Sequence, residues 1–252
     1  FAVAMFLMSM AVFAIPVSAS STVTNINTGE TFTTIQAAID DTGTLDGHTI
    51  VVGPGTYNEV VNVYKAVTLH GEDGAIIKPD DTTALLDQGV RRVAIYITVD
   101  DVTIEGFEID GTAGHVHYGI YGFNTENLVV RKNTIHDITN QIEAPVWDVA
   151  RVGILFFGWG QRIDNVLIER NTVYNTGRMG IFVGGMQSGT PYNWLLSSTN
   201  TISRNNVYNT WQGPTNDAGG AIQIMGAKSC TIERNDVYDT GCPAGWFYPG
   251  IY

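Results

Sequence analysis

Positive charge is scarce in this chain: 13 Lys and Arg stand against 25 Asp and Glu, a formal net charge of -12. That balance argues against nucleic acid as a partner, because binding phosphates needs concentrated Lys and Arg. It fits a soluble protein held apart from its neighbours by its own charge. Cysteine is nearly missing as well, with Cys230 and Cys242 alone. The two can pair only if their Cα atoms come within about 7 Å. Helix formers are outnumbered by Thr, Val, Asn, Tyr and 28 glycines, which leans toward an all-β chain with many turns. What remains, 252 residues at 44% hydrophobic, suffices to bury one sizeable core.

The first twenty residues, "FAVAMFLMSMAVFAIPVSAS", hold no charge at all. An apolar run from Phe1 to Ile15 is followed by small residues, the pattern of a secretory signal with cleavage after Ala19. Residues 1–19 are thus expected to be a signal and 20–252 the mature domain. A transmembrane anchor is the alternative, but the run is short for a span, which takes about 20 residues. Without an initiator Met or a positive n-region, the chain reads as a fragment lacking its first residues. A secreted, extracellular or cell-surface location is expected (periplasmic in a Gram-negative host), with no membrane span in the mature chain.

Aligned to itself, the chain repeats. "TIERNDVYDT" (231–240) returns as "TISRNNVYNT" (201–210), "LIERNTVYNT" (167–176), "VVRKNTIHDI" (129–138) and, more diverged, "TIEGFEIDGT" (103–112). Asn133, Asn171, Asn205 and Asn235 mark the repeat in steps of 38, 34 and 30 residues, a period that signals a solenoid or propeller. Apolar positions such as Ile168 and Val173 flank the Arg-Asn step, which predicts a turn between two short strands. A third strand follows a loop of variable length: "GIYGF" (119–123), "GILFF" (153–157), "GIFVG" (180–184), "AIQIM" (221–225) and "GIY" (250–252). Three short strands per repeat describe one coil of a parallel β-helix, whereas a propeller blade needs four longer antiparallel strands.

The asparagines are expected to stack as an amide ladder at one corner, where Asn also tolerates left-handed backbone. An apolar column (Val67, Val102, Leu128, Val166, Asn200, Cys230) makes Cys230 a structural thiol and sets it at the far end of two strands from Cys242. At the front, "TTIQAAID" (33–40) has Thr33 and Gln36 in capping-box spacing and Ile35, Ala38 and Ile39 on one face. That is an amphipathic helix over the open end of the solenoid. "HTIVVGPGTYNEVVNVYKAVTLHGED" (48–73) supplies the first coil. The chain ends at Tyr252 inside a third strand, so further coils are expected beyond it.

The stretches "TIQAAID", "TIVVGPGTYNEVVNV", "AVTLHGEDGAIIKP" and "VDDVTIEGFEIDG" resemble the right-handed parallel β-helix proteins of the pectin-lyase-like superfamily. The nearest resemblance is to the exported branch with carbohydrate-binding and sugar-hydrolysis repeats, which includes periplasmic copper-maturation and archaeal or bacterial surface proteins. It covers residues 31 to 252 and implies an all-β right-handed parallel β-helix. Activity does not follow, since this scaffold hosts lyases, hydrolases, esterases, epimerases and adhesins. The paired Asp and Gly-His-Gly of polygalacturonases are absent, as is the Asp-Pro-His-Asp of alginate epimerases. The Gln and Asp block of pectin methylesterases and the acidic calcium cluster of pectate lyases are not found either. No Met/His cluster suits copper. No metal ligand set or cofactor is identified, and no short run supplies the six to eight oxygens of a calcium site.

Candidate site residues therefore come from position. The third strand and the loops leading into it vary most, as functional segments do. Its outward column reads Tyr121, Leu155, Phe182, Gln223 and Tyr252, beside Gly119, Gly153, Gly180, Ala221 and Gly250. Either the glycines begin strands, or they floor a groove where Tyr121 and Phe182 stack on a sugar ring. Three residues before each inward Ile stand His117, Arg151 and Arg178, a basic ladder suited to a substrate carboxylate or to the local acids Glu143 and Asp148. Trp147, Trp159, Trp194, Trp211 and Trp246 either pack loops onto the coils or form sugar platforms. Glu143, Asp148 and Asp217 are the loop acids for glycoside chemistry. The expected function is binding of an acidic polysaccharide or cell-surface glycan, with its cleavage as a further step. In a lyase Arg151 or Arg178 would serve as base or carboxylate clamp, assisted by His117. The alternative is a non-catalytic surface-layer or adhesion solenoid.

Overall fold

The computed structural model describes residues 22–80, 92–112, 116–139, 151–188, 193–210, 220–241 and 251. Its repeat unit is a coil of three strands, as in Leu167–Glu169, Thr172–Thr176 and Ile181–Met186. Within the coils each strand pairs in parallel with its counterpart one coil away, and these ladders, with short antiparallel additions, form sheets of nine, seven and seven strands. This is a parallel β-helix. Register follows the repeat: Ile168 lies over Val130 and under Ile202, and Val173 over Ile135 and under Val207. Because side chains alternate along a strand, Ile168, Val173 and Ile181 point inward and are fully buried in one continuous core. Each such burial stabilises by about 1.5–3 kcal/mol before chain entropy is counted.

The corner between the first and second sheets carries the ladder. Asn133 Nδ2 donates to Asn171 Oδ1 (3.1 Å), Asn171 to Asn205 (3.0 Å) and Asn205 to Asn235 (2.9 Å). The same oxygens accept the backbone N–H of the preceding Asn, and the amides also donate to Ile104, Val130, Ile168 and Ile202 carbonyls. One side chain per coil thereby satisfies backbone groups that the turn leaves open. The left-handed residue, however, is not the Asn. It is the residue before it: Lys132, Arg170, Arg204 and Arg234, at φ 55 to 56.

Asn200, in the otherwise apolar column, is buried but bonded, accepting from Val166 N and donating to Ile163 O. Cys230 is a free, half-buried thiol packed against the core; Cys242 lies outside the described residues, as do residues 1–21. The helix Ile35–Asp40 covers the N-terminal end with Ile35, Ala38 and Ile39 buried. Its cap is Thr34, whose side chain accepts from Ala37 N, so the expected Thr33–Gln36 box is displaced by one residue. The reason is Glu59, whose carboxylate takes the Ile35 and Gln36 amides and leaves no role for a Gln36 box. Burial pushes the Glu59 carboxyl up, against the pull of those two amides. Val23–Asn25, which the sequence pattern does not reveal, pairs antiparallel with Glu30–Phe32 and Thr49–Val52 ahead of the first coil.

Candidate functional site: the outer face of the third sheet

The third sheet runs through Val61–Val63, Val93–Ile97, Tyr118–Phe123, Val152–Trp159, Ile181–Met186 and Ile222–Met225. Its inward Ile95, Ile120, Ile154 and Ile181 belong to the core. Its outward Val93, Tyr96, Tyr118, Tyr121, Val152, Leu155, Met179 and Phe182 form a second apolar cluster outside the coil. Tyr121 stacks between Tyr96 (5.4 Å) and Tyr118 (5.0 Å) and is 0% exposed; Phe182 is 3% exposed. Tyr121 and Phe182 therefore do not meet the expectation of exposed sugar platforms. Alternation placed them on the correct side, but a second layer of side chains packs over that side.

The glycine floor is corrected too. A β-carbon on Gly119, Gly153 or Gly180 would meet the core side chains of Ile135, Val173 or Val207 at 2.6, 2.4 and 2.3 Å. These glycines face inward, at a bend where the third sheet runs against the second. They are required by packing and offer no surface to a ligand.

Exposure returns at the far end of the strands. Phe123 and Phe157 (6.4 Å apart) and Trp159, which is 44% exposed, make an aromatic strip. Trp194 lies 5.9 Å from Phe182 on a short strand antiparallel to Gly185–Met186. Trp147, Trp211 and Trp246 lie outside the described residues.

At the near end, the basic column is real and longer than expected. The Arg151 amide donates to the His117 carbonyl (2.7 Å), Arg178 to Arg151 (3.1 Å) and His117 to Arg92 (2.8 Å). Arg92 is thus a member that sequence reasoning missed, since the chain before it matches the repeat poorly. The Arg151 stem lies on Gly177, where a β-carbon would sit 2.6 Å from its Cδ. His117 is buried, and its Nδ1 accepts the Arg92 amide at 3.2 Å, so the neutral ring carries its proton on Nε2. The column therefore carries its charge on arginines, with His117 as a neutral member. Glu143, Asp148 and Asp217 lie outside the described residues. The third-sheet strands themselves hold no carboxylate, so glycoside hydrolysis there would need acids from the loops.

A separate titratable group occupies the outside of the second sheet. One donor atom each from Asp110, His136 and Asp137 lie within 4.8 Å of one another, the ligand types of a divalent metal. Their bonds are already committed. Asp110 takes Lys78 Nζ (2.6 Å) and both Thr112 donors, Asp137 takes Asn175 Nδ2, and His136 faces Asp137 and Glu108. Burial works to raise the Asp110 carboxyl, but Lys78 and Thr112 outweigh it and hold it below the usual range. From His136 an outward stack of rings continues through Tyr174, Tyr208 and Tyr238 at 5.0, 5.0 and 4.9 Å. Both features brace successive coils.

Residues 20–237 match the family described as right handed beta helix region. A cell surface glycoprotein of Methanothermus fervidus is 38% identical over 121 residues, 48% of this chain and 18% of that protein. The chain therefore spans under a fifth of that relative's length. A solved pectin methylesterase mutant in complex with a hexasaccharide aligns over 79% of this chain and 68% of its own, at 14% identity and TM-score 0.42. The pectin methylesterase of Yersinia enterocolitica aligns over 79% and 61%, at 13% identity and TM-score 0.44. Neither structural likeness carries an argument about chemistry.

Proposed function

The chain belongs to the right-handed β-helix family, and from that premise we propose that it is a cell-surface protein that binds an acidic polysaccharide along its third sheet. The observation that carries this reading is the pairing, on one sheet, of an arginine column with an aromatic strip. Arg92, His117, Arg151 and Arg178 sit on successive coils, while Phe123 lies toward the other end of the His117 coil's strand and Phe157 and Trp159 toward the other end of the Arg151 coil's strand. Six to eight residues separate the two along a strand, or roughly 20–26 Å. A polymer crossing the sheet would meet guanidinium forks for its carboxylates and ring faces for its sugars. The surface location rests on the name of the Methanothermus relative. Asn-linked sugar is not part of the proposal, because no Asn in these 252 residues is followed two positions later by Ser or Thr.

Retention of polygalacturonate by the protein tests this. Arg151→Ala and Arg178→Ala are expected to weaken it at least tenfold, and Trp159→Ala severalfold; unchanged retention in all three would remove the reading. Cleavage is a further step. Release of unsaturated products absorbing in the ultraviolet would add a lyase, with Arg151 or Arg178 as the base. A second reading, a rigid non-catalytic spacer, is favoured by the paired Asn and Tyr ladders, which stiffen the coils without creating a cleft.

A further inference from the structure

Three columns of the solenoid pass through left-handed backbone, and one of them is filled against its own preference. Where φ is positive, Gly, Asn and Asp fit and long side chains are disfavoured. The column leading into the first sheet holds Asp101, Asn127, Asn165, Thr199 and Ser229 at φ 56 to 61. The column in the second sheet holds Asp137, Asn175, Asn209 and Asp239 at φ 49 to 58. Both hold short polar side chains, Asn and Asp except for Thr199 and Ser229 on the last two coils of the first, and these bond from coil to coil, as Asn165 does to Asn127 and Asn175 to Asp137. The corner between the first and second sheets has Gly106 and then Lys132, Arg170, Arg204 and Arg234 on four successive coils.

Those four are a large part of the 13 cations in a chain of net charge -12, and all are exposed. Their backbones are clamped one above another. The Lys132 amide donates to the Glu169 carbonyl, Arg170 to Ser203 and Arg204 to Glu233, at 3.1 to 3.2 Å. Consecutive members are therefore about 4.8 Å apart at the backbone. Arg204 reaches Glu169 at 3.7 Å; Lys132, Arg170 and Arg234 make no ion pair among the described residues. Glu105, in the same column as Glu169, is engaged by Arg131 and His70. The exposed Glu233 and Asp236 flank only the last coil. Strained backbone and like charges in file both oppose folding, and Gly106 shows that the corner forms without them.

We infer that the ridge Lys132–Arg170–Arg204–Arg234 binds a linear acidic polysaccharide lying parallel to the solenoid axis, with carboxylates meeting successive coils. One cation per coil, about 4.8 Å apart, suits a polymer with a single carboxylate per sugar. It is far sparser than duplex nucleic acid, with one charge per roughly 1.7 Å, and the negative body of the protein repels so dense a polyanion. Guanidinium forks match carboxylates in bidentate geometry. This ridge lies across the coil from the third sheet and shares with the reading above only the class of polymer.

The test is a quadruple variant, Lys132→Gly, Arg170→Gly, Arg204→Gly and Arg234→Gly, assayed for polygalacturonate retention against neutral dextran. Glycine suits the left-handed backbone, so the variant is expected to fold with Tm unchanged or raised. Its retention should fall at least tenfold, and wild-type binding should weaken steeply with salt while the variant's residual binding does not. Retention kept by this variant but lost by Arg151→Ala and Arg178→Ala would overturn the ridge and leave the third-sheet reading standing. The reverse pattern would do the opposite. A wild type that retains no polygalacturonate would overturn both.

Discussion

Two columns of this solenoid differ in what repeats. Along the Asn corner, side chain, backbone and hydrogen bonds recur on every coil from Asn133 to Asn235. Along the start of the third sheet, only the backbone recurs, while the residues change from Arg92 to His117 to Arg151 and Arg178. Identity held from coil to coil together with buried side-chain hydrogen bonds marks a position the fold cannot do without. Backbone kept with chemistry varied marks a position where the fold is indifferent and a ligand can be accommodated. Substitutions at the two kinds of position should therefore part company.

The sharpest break is expected at the ladder. Asn171→Ala removes the acceptor of the Asn133 amide and the donor to Val130 O in the interior. Two buried backbone groups left open cost about 1–3 kcal/mol each, so a loss of roughly 3–5 kcal/mol is expected in urea unfolding. A loss under 1 kcal/mol would show the ladder to be ornament. Arg178→Ala, by contrast, should change stability little and ligand retention much.

Gly153→Ala sharpens the difference within the third sheet. Its β-carbon would collide with Val173 Cγ1 at 2.4 Å and the Gly180 carbonyl at 2.8 Å. Overpacking of this kind costs about 1–3 kcal/mol, visible as a lower urea midpoint with unchanged ligand retention in whatever folds. If Gly153 instead floored a sugar groove, retention would fall and stability would hold.

Much of the fold was legible because every coil states the same constraint again. Ile168, Val173 and Ile181 alternate as strands require, and four repeats of Asn made the ladder readable. The left-handed column was not legible, since Lys132 and three arginines stand where backbone preference predicts Asn or Gly. Thr34 was missed because the partner that sets the cap, Glu59, is 24 residues from the first amide it binds. At the site, alternation gave the side on which Tyr121 and Phe182 lie but not their burial, which depends on the second aromatic layer. Arg151 and Arg178 were placed correctly, because each stands at a fixed offset from an inward Ile.

Outside the second sheet, the ring stack should matter less than the buried ladder beside it. Tyr208 lies between Tyr174 and Tyr238 with interplanar angles of 4° and 3°. Tyr208→Ala gives up two half-exposed contacts, each worth about 0.5–1.5 kcal/mol in well-packed pairs, and a net loss near 1 kcal/mol is expected. Tyr208→Phe should cost almost nothing. A loss as large as that of Asn171→Ala would make the outer stack an equal partner of the inner one.

The smallest effect is expected at Lys78, and it depends on pH. Burial raises the Asp110 carboxyl, yet the Lys78 ammonium and the Thr112 donors prevail and lower it from its ordinary value of 3.8. A group with a depressed folded pKa favours folding fully above its unfolded value and loses that contribution as pH falls through the folded value. Lys78→Met should therefore be less stable than wild type at neutral pH, by the modest amount that partly exposed pairs supply, about 0–1 kcal/mol. The gap should close as the solution is taken below pH 3.8, where wild-type Asp110 also becomes protonated. Glu59 moves the other way: its raised carboxyl favours folding as acid is added, so it partly masks the wild-type trend. Comparing the two proteins at each pH cancels that shared background. A gap constant from neutral pH down to the acid limit would mean that Lys78 contributes through its packed stem, as Lys side chains do over apolar surface, and not through its charge on Asp110.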